Sequence, residues 1–512
     1  MVENVNRHLE RGMKPMKAGI VAARELANPI IAMMLVLIAV YVPIGFLGGL
    51  TGALFTEFAF TLVGAVTISA IVALTLSPMM CSRMLKPHDP ADRGWQARLV
   101  LLLDHAFDGL HRRYEGLLHR TLDYVPVTAV FALLVLGSIY FLYAGAKSEL
   151  APQEDQGVLI ASSTSAPSST LQQRELYTRQ VYEKFAFHPE TEHVFQLDVP
   201  GRTIAGMVLK PWDKRVRTAA QLQPAVQLDM NRIAGLNTVL FQPPPLPGAF
   251  GLPVQFVIQT TEPFERLNEV AQNFLQEAQN SGMFMFIDSD LKFDEPQTNV
   301  VIDRQLAAQL GLSMRDVGGA LSAMLGGGYV NYFSLYDRAY KVIPQVQQAY
   351  RLNADQLRDY YIRTASGDMV PLSTVAHLET RVVPQTLNHF QQQNSATISG
   401  VQFPGVSQGE ALAYLQDLAA RALPQGYAVD YSGQLRQFVQ ESSALVVTFF
   451  FALIIIYLTL GALFESFRDP VIILVSVPMS ICGALIFISL GVGGASLNIY
   501  TEVGLVTLIG LI

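Results

Sequence analysis

Few residues in this chain are arranged for covalent chemistry. Three of its nine histidines, His105, His111 and His119, share one stretch. Their spacings of six and eight miss the i, i+4 pattern that sets two ligands on one helix face. Methionines sit side by side at Met33–Met34 and Met79–Met80 and alternate at Met283 and Met285. Thioethers bind soft metals, but in such apolar surroundings they read as packing, and no metal site is expected. The glycine run in "MLGGGYVNYF" (324–333) leads into strand-like sequence, not a helix start, so it reads as a turn rather than a phosphate loop. No Gly-Lys pair exists, which excludes a P-loop. H-E-x-x-H and C-x-x-C are absent and no nucleophile elbow is expected, so no catalytic residue is assigned and the chain is not expected to be an enzyme. Two carboxylates, Glu57 and Glu502, border long apolar runs, where an acid can carry protons. Glu57 falls in the turn "GLTGALFTEF" and Glu502 opens the final apolar stretch, so both are expected at an interface. No proton relay is expected within the chain.

The elements that would hold these residues are mostly apolar. Charged residues make up only 15% of the 512, against about 25% in an average soluble protein. Residues 29–56, 58–82, 125–146, 442–464 and 470–501 contain no charge at all. Each run reaches the roughly 20 residues that a membrane-spanning helix needs. Residues 147–440 differ: they hold 50 of the 77 charged side chains. The chain therefore reads as a multi-pass α-helical membrane protein carrying one large water-soluble body. A net charge of −7 without a basic stripe excludes nucleic acid as a partner. Both cysteines, Cys81 and Cys482, lie in predicted spans, so the body has no disulfide.

Short loops rich in Lys and Arg mark the cytoplasmic side. Residues 1–28 carry five and 83–124 carry seven, whereas the turn after the first span carries none. One further crossing puts the body outside. Between the second and third spans, 93–120 reads as an amphipathic helix, with Leu99, Leu103, Phe107, Leu110, Tyr114 and Leu117 on one face, lying flat on the bilayer.

Within the body, strands and helices alternate in two rounds. The first has strands in "VLIASSTSA", "HVFQLDV", "TIAGMVLK" and "NTVLFQ", with a helical stretch carrying Tyr177, Val181 and Phe185 at i, i+4 spacing and a helix near 216–233. The second has "VQFVIQT", a helix at 263–280, "MFMFIDS" and "NVVID", and later "SATISGVQF", a helix from the capping pair Ser407/Glu410, and "GYAVDYSG". Two β-α-β-β-α-β units follow, the second interrupted. A stiff proline connector, "FQPPPLPGAFGLP", joins them.

Taken in order, these stretches resemble the resistance-nodulation-division (RND) superfamily of efflux transporters, in the AcrB-type branch that exports hydrophobic and amphiphilic compounds. "VENVNRHLERG" is similar to the end of that family's fourth span, and "VYVPIGFLGGLTGALFTEFAFTLVGAVTISAIVALTLSPMMCSRMLKP" to its fifth and sixth. "LAPQEDQGVLI" resembles the entry to the second porter half, and "GGGYVNYF" with "YYIRTASGDMVPLSTVA" the docking region. "ALFESFRDPVIILVSVPMSICGALI" and "NIYTEVGLVTLIGLI" are similar to spans eight, nine and the start of ten.

The resemblance implies a fold of membrane helices with a large α+β periplasmic body of ferredoxin-like porter subdomains and a docking insertion. It divides the chain into 1–28, the end of a span and a cytoplasmic segment; 29–85, two spans; 86–124, the interfacial helix; and 125–146, a span. Then come 147–248, one porter subdomain; 249–303 with 391–440, a second; 304–390, the docking insertion; and 441–512, two spans and part of a third. It also implies a trimer in the bacterial inner membrane, working with a periplasmic adaptor and an outer-membrane channel. Small amphiphilic substrates would be exported with the proton-motive force of the full-length protein and no cofactor. Positions matching the family's apolar pocket are Ile160, Phe195, Leu252, Val254 and Phe256. The loop after the Phe195 strand, "LDVPGRTIAG", is shorter than the family's and lacks aromatic residues, which points to a narrower substrate set. The family's aspartate pair and lysine, which couple proton flow to motion, would lie before and beyond this sequence, which therefore reads as the middle of a longer transporter. Two other readings stay open: a heavy-metal or lipid exporter, and a non-pumping module that binds the adaptor.

The charge asymmetry is testable. A reporter active only in the cytoplasm is expected to work when fused at Arg113 and to fail at Asp337; the opposite pattern would reverse the orientation.

Overall fold

The computed structural model describes residues 1–46, 48–85, 95–199 and 201–511, with side chains except at 95–106 and 442–448. A short helix α1 (Val2–Glu10) precedes the long α2 (Pro15–Gly45) and α3 (Gly49–Met84). These two pack along most of their length, helped by small residues: a methyl group on Gly19 would meet the Pro78 carbonyl at 3.0 Å, and one on Gly45 the Phe60 ring at 3.3 Å. α4 (Trp95–Asp123) and α5 (Val125–Gly145) follow. By length and composition, four helices among the described residues suffice to cross a membrane: α2, α3, α5 and the segment Arg468–Ser489.

Two boundaries differ from the sequence reading. Residues 15–28 are not a separate segment but the first turns of α2, and α3 already begins at Gly49, so Glu57 sits inside α3 rather than in a turn. Charge alone misplaces both. At 36 residues α3 is longer than the roughly 20 that span a bilayer, so a helix end can carry charge into water, and Glu57 is exposed. In α4, Phe107, Leu110, Tyr114 and Leu117 are all exposed; Leu99, Leu103 and His105 lie among the side chains outside the description, as do residues 86–94 altogether.

The first soluble unit runs β1 (Val158–Ser165), α6 (Leu171–Phe187), β2 (Thr191–Val199), β3 (Arg202–Leu209), α7 (Ala219–Met230) and β4 (Leu236–Phe241). Its antiparallel sheet has the order β2-β3-β1-β4. Thr170 and Thr218 cap the two helices, the latter with Gln221 as a capping box. Leu159, Ala161, Ala205 and Met207 pack against Val181, Phe185, Leu222 and Val226 of the helices. Below the sheet, Arg217 makes a two-pronged ion pair with Glu190, at 2.7 and 2.9 Å.

The second unit repeats this plan with β5 (Val254–Thr260), α8 (Phe264–Asn280) and β6 (Phe284–Ser289). An insertion then begins with β7 (Phe293–Ile302) and continues through α9 (Arg304–Gln309), α10 (Met314–Leu325), β8 (Asn331–Leu335), β9 (Arg338–Val342), β10 (Tyr361–Arg363) and β11 (Met369–Pro371) to β12 (Ala376–Pro384). The unit resumes with β13 (Asn388–Phe390), β14 (Gln393–Gln402), α11 (Gln408–Ala422) and β15 (Tyr427–Tyr431). Its main strands lie in the order β6-β14-β5-β15, the same order as in the first unit. β7 pairs only with β12, Ala376 opposite Ile302, making a two-stranded ribbon that carries the insertion. "NVVID" thus belongs to that ribbon and not to the sheet, and the insertion starts at Phe293, eleven residues before the expected 304. The glycine run is a turn, as expected: Gly326 ends α10 at φ 77°, and strand β8 follows.

The chain re-enters the membrane helices through α12 (Gly433–Phe464), which starts directly after β15. α13 (Asp469–Leu474), α14 (Ser476–Ser489) and α15 (Ile499–Leu511) complete the fold.

The Arg217 guanidinium holds the Glu190 carboxyl below its ordinary 4.5. The folded state then takes up this proton less readily than the unfolded one. The stabilisation is full above 4.5 and fades as pH falls through the lower folded value. Thermal unfolding in detergent from about pH 6 to about pH 3 is expected to show Glu190→Gln less stable at the upper end, with the gap closing on acidification. A gap that stays constant over this range would contradict the pairing.

Candidate functional site

One cross-strand row organises the first unit's helix-free face. Phe195 stands opposite Gly206, Gly206 opposite Ile160, and Ile160 opposite Phe241. Gly206 has no side chain, and the Phe195 ring occupies the place where one would project. The ring stays 48% exposed. At the other end of the row, Ile160 and Phe241 meet residues from beyond the unit: Leu252 of the proline connector, Met285 and Phe286 of β6, and Val401 of β14. The units therefore meet along an apolar, cleft-like seam, packed at Val239, Phe241 and Val401 and partly exposed at Ile160, Leu252, Met285 and Phe286.

The connector is fixed in place by side-chain amides, with Gln153 donating to the Pro243 carbonyl at 2.9 Å and Gln156 to that of Pro244 at 3.2 Å. A polar groove of about 430 Å³ opens beside the cleft, bounded by Asn237 on one unit and by Met285, Phe286, Asp288 and Lys292 on the other. Lys292 donates to Asp288 at 2.5 Å. Asp290, next to this pair, accepts from the Thr397 amide at 2.6 Å and from Asn388 Nδ2 at 2.8 Å. Burial pushes its carboxyl above the usual range.

Of the five residues singled out by sequence, Ile160 and Leu252 meet in the cleft. Phe195 lies in the same row but beyond Gly206. Val254 and Phe256 lie elsewhere, fully buried in the second unit's helix-side core, where Phe256 stacks on Phe274 at 5.5 Å. Successive strand residues point to opposite faces, and these two take the face that α8 and α11 cover. Sequence reasoning missed Phe241, Met285, Phe286 and Val401. The signal was present in "MFMFIDS", apolar on both faces, but a bulge opposite β6, between Val401 and Gln402, breaks the alternation there.

Two further sequence readings need placement. Gly405–Gly409, "GVSQG", does have the G-x-S-x-G spacing whose absence was expected. Its Ser407 is a helix cap and not a nucleophile: Oγ accepts from the Glu410 amide at 3.2 Å and donates to its carboxylate at 3.0 Å. Glu502 lies in the first turn of α15, its amide donating to the Asn498 carbonyl at 2.9 Å.

Membrane helices, paired sheets and an inserted ribbon thus form one arrangement, and a single family profile, described as AcrB/AcrD/AcrF, matches all of it, residues 1–512. The chain belongs to the AcrB/AcrD/AcrF family. This is a family of RND efflux transporters. An uncharacterized transporter of Haemophilus influenzae is 38% identical over the whole chain and half of its own length. The Pseudomonas putida multidrug/solvent efflux pump membrane transporter MepB is 31% identical, again over all of this chain and 50% of itself. The Escherichia coli multidrug export protein AcrF is 28% identical over 51% of its length. The chain spans about half the length of these curated relatives.

In this AcrB/AcrD/AcrF family member, cleft and core aromatics are expected to separate on mutation. Phe256→Ala should cost about 3–5 kcal/mol of stability, and Phe195→Ala about 1 kcal/mol or less, the scale of a cross-strand pair. Denaturant unfolding of the two variants checks this; equal losses would place Phe195 in a packed core.

Proposed function

We propose that the chain is the central part of a proton-driven inner-membrane pump that exports hydrophobic and amphiphilic compounds. The cleft lined by Ile160, Phe241, Leu252, Met285 and Phe286 carries this reading. An apolar seam between two folded units, partly exposed where Met285 and Phe286 also line a polar groove, suits molecules with an apolar body and a polar end. The names of two relatives, a multidrug/solvent efflux pump and a multidrug export protein, point the same way. In this reading the two soluble units are ferredoxin-like porter subdomains on the periplasmic side, and the ribbon-borne insertion is the docking body. The pump works as a trimer with a periplasmic adaptor and an outer-membrane channel. A metal exporter would need converging soft or acidic ligands in the cleft, whereas the cleft offers one thioether, Met285, among hydrocarbon side chains.

The test is to express the gene carrying this sequence in cells deprived of their own pumps and to follow a fluorescent amphiphile. Accumulation is expected to fall, to recover when a protonophore collapses the gradient, and to recover in Phe286→Asp at unchanged protein level. Export that ignores the protonophore would overturn the proton-driven part. Export unaffected by Phe286→Asp would overturn the role of the cleft.

A further inference from the structure

A partly open cavity lies among the membrane helices. It measures about 370 Å³ and is bounded by α5, α12, α14 and α15, with Ile139, Phe449, Leu485 and Leu505 in its walls. It sits at the end of the bundle nearest the soluble body. Leu497, on its rim, donates its amide to the Lys147 carbonyl at 2.7 Å and accepts from the Glu149 amide at 3.0 Å, on the strand-like link between α5 and β1. Ser496 donates to the Glu149 carboxylate at 2.5 Å, and Asn498 Oδ1 accepts from the Tyr500 and Thr501 amides at 3.0 and 3.2 Å. The first turn of α15 is therefore held firmly, and with it the direction of Glu502.

Among the described residues, Glu502 is the only charged one lining the cavity, and Tyr143 is the only other polar side chain there. Among the described residues the Glu502 carboxylate has no hydrogen-bond or ion-pair partner. An ionised carboxylate between hydrocarbon walls is unfavourable unless it takes up a proton or an opposite charge reaches it, and a quaternary ammonium group supplies that charge. The walls also supply aromatic faces, Tyr143 and Phe449, of the kind that attract cations. A volume of this size falls in the range of small-molecule sites.

We infer that this cavity binds lipophilic monocations, with the cationic centre at Glu502 and the apolar body between Ile139, Leu485 and Leu505. A carboxylate selects charge and hydrocarbon walls select an apolar body, so neither hydrophilic cations nor uncharged hydrocarbons satisfy both. The inference concerns binding alone and stands apart from the proposed export through the cleft.

The probe is para-hexylbenzyl-trimethylammonium, paired with its neutral isostere in which a quaternary carbon replaces the nitrogen. Both are radiolabelled and measured by equilibrium binding to the full chain in nanodiscs, after subtraction of empty nanodiscs. The wild type is expected to hold the cation at least about tenfold more tightly than the isostere. Glu502→Gln should bring the two within about twofold while leaving isostere binding in place, and Glu502→Asp should keep the preference. Leu485→Trp, which fills the space, should weaken both. Equal binding of the two probes by the wild type overturns the proposal, as does a preference that survives Glu502→Gln. If Glu502→Gln loses both ligands, Leu485→Trp decides: cation binding undiminished in the filled cavity would overturn it.

Discussion

The first amides of α3 have no partner within their own helix, and in a buried setting they must find one elsewhere. Those of Leu50 and Thr51 donate to the two carboxylate oxygens of Glu441, at 3.0 and 3.2 Å, from a residue 391 positions further along than Leu50. Glu441 is itself buried, on the 32-residue helix α12 that begins at the last strand of the second soluble unit. A negative charge at a helix start is favoured by the helix dipole as well as by the hydrogen bonds. The fit is close: Gly49 has φ of 70°, and a side-chain carbon there would meet Glu441 Oε1 at 2.6 Å. This contact ties the second soluble unit to the start of α3. Any tilt of the second unit that moves α12 must carry the end of α3 with it, or leave two amides and a carboxylate buried without partners. The link into the first unit is fastened by the short parallel bridge of Ser148 with Leu497, and its Ser148 carbonyl also accepts from the Gly409 amide of the second unit at 2.9 Å.

With both units fixed at their bases, the space between them follows from how sheets are covered. Each sheet packs one face under two helices. The other face of the first sheet is left apolar at Ile160 and Phe241, and β6 and β14 of the second unit meet it there. That contact buries Phe241 and Val401 and leaves Ile160, Met285 and Phe286 partly exposed beside the polar groove of Asp288 and Lys292.

Much of this was legible in the sequence, for reasons of period and punctuation. The strands and helices of both units announced themselves by alternation and by caps such as Ser407 with Glu410. The family could be recognised because its motifs run the length of the chain. Three things were not legible. Charge runs marked where apolar sequence stops but not where a helix stops, so α2 and α3 proved longer than their charge-free cores. Pairing between β7 and β12 depends on partners some eighty residues apart and left no local trace in "NVVID". The side of a strand that faces a cleft cannot be told from the side that faces a helix when both are apolar. Hence Val254 and Phe256 were grouped with Ile160 although they point into the core, and Met285 and Phe286 were overlooked beside a bulge.

The claim that amphiphiles occupy the cleft between the two units is tested most directly by photoaffinity mapping. An amphiphile carrying a diazirine is irradiated on the membrane-embedded protein, and the modified peptides are identified by mass spectrometry. Modification is expected on the peptides that contain Ile160, Phe241 with Leu252, and Met285 with Phe286, and is expected to be displaced by excess unlabelled amphiphile. Displaceable labelling confined to other surfaces, with those peptides unmodified at saturation, would contradict the account.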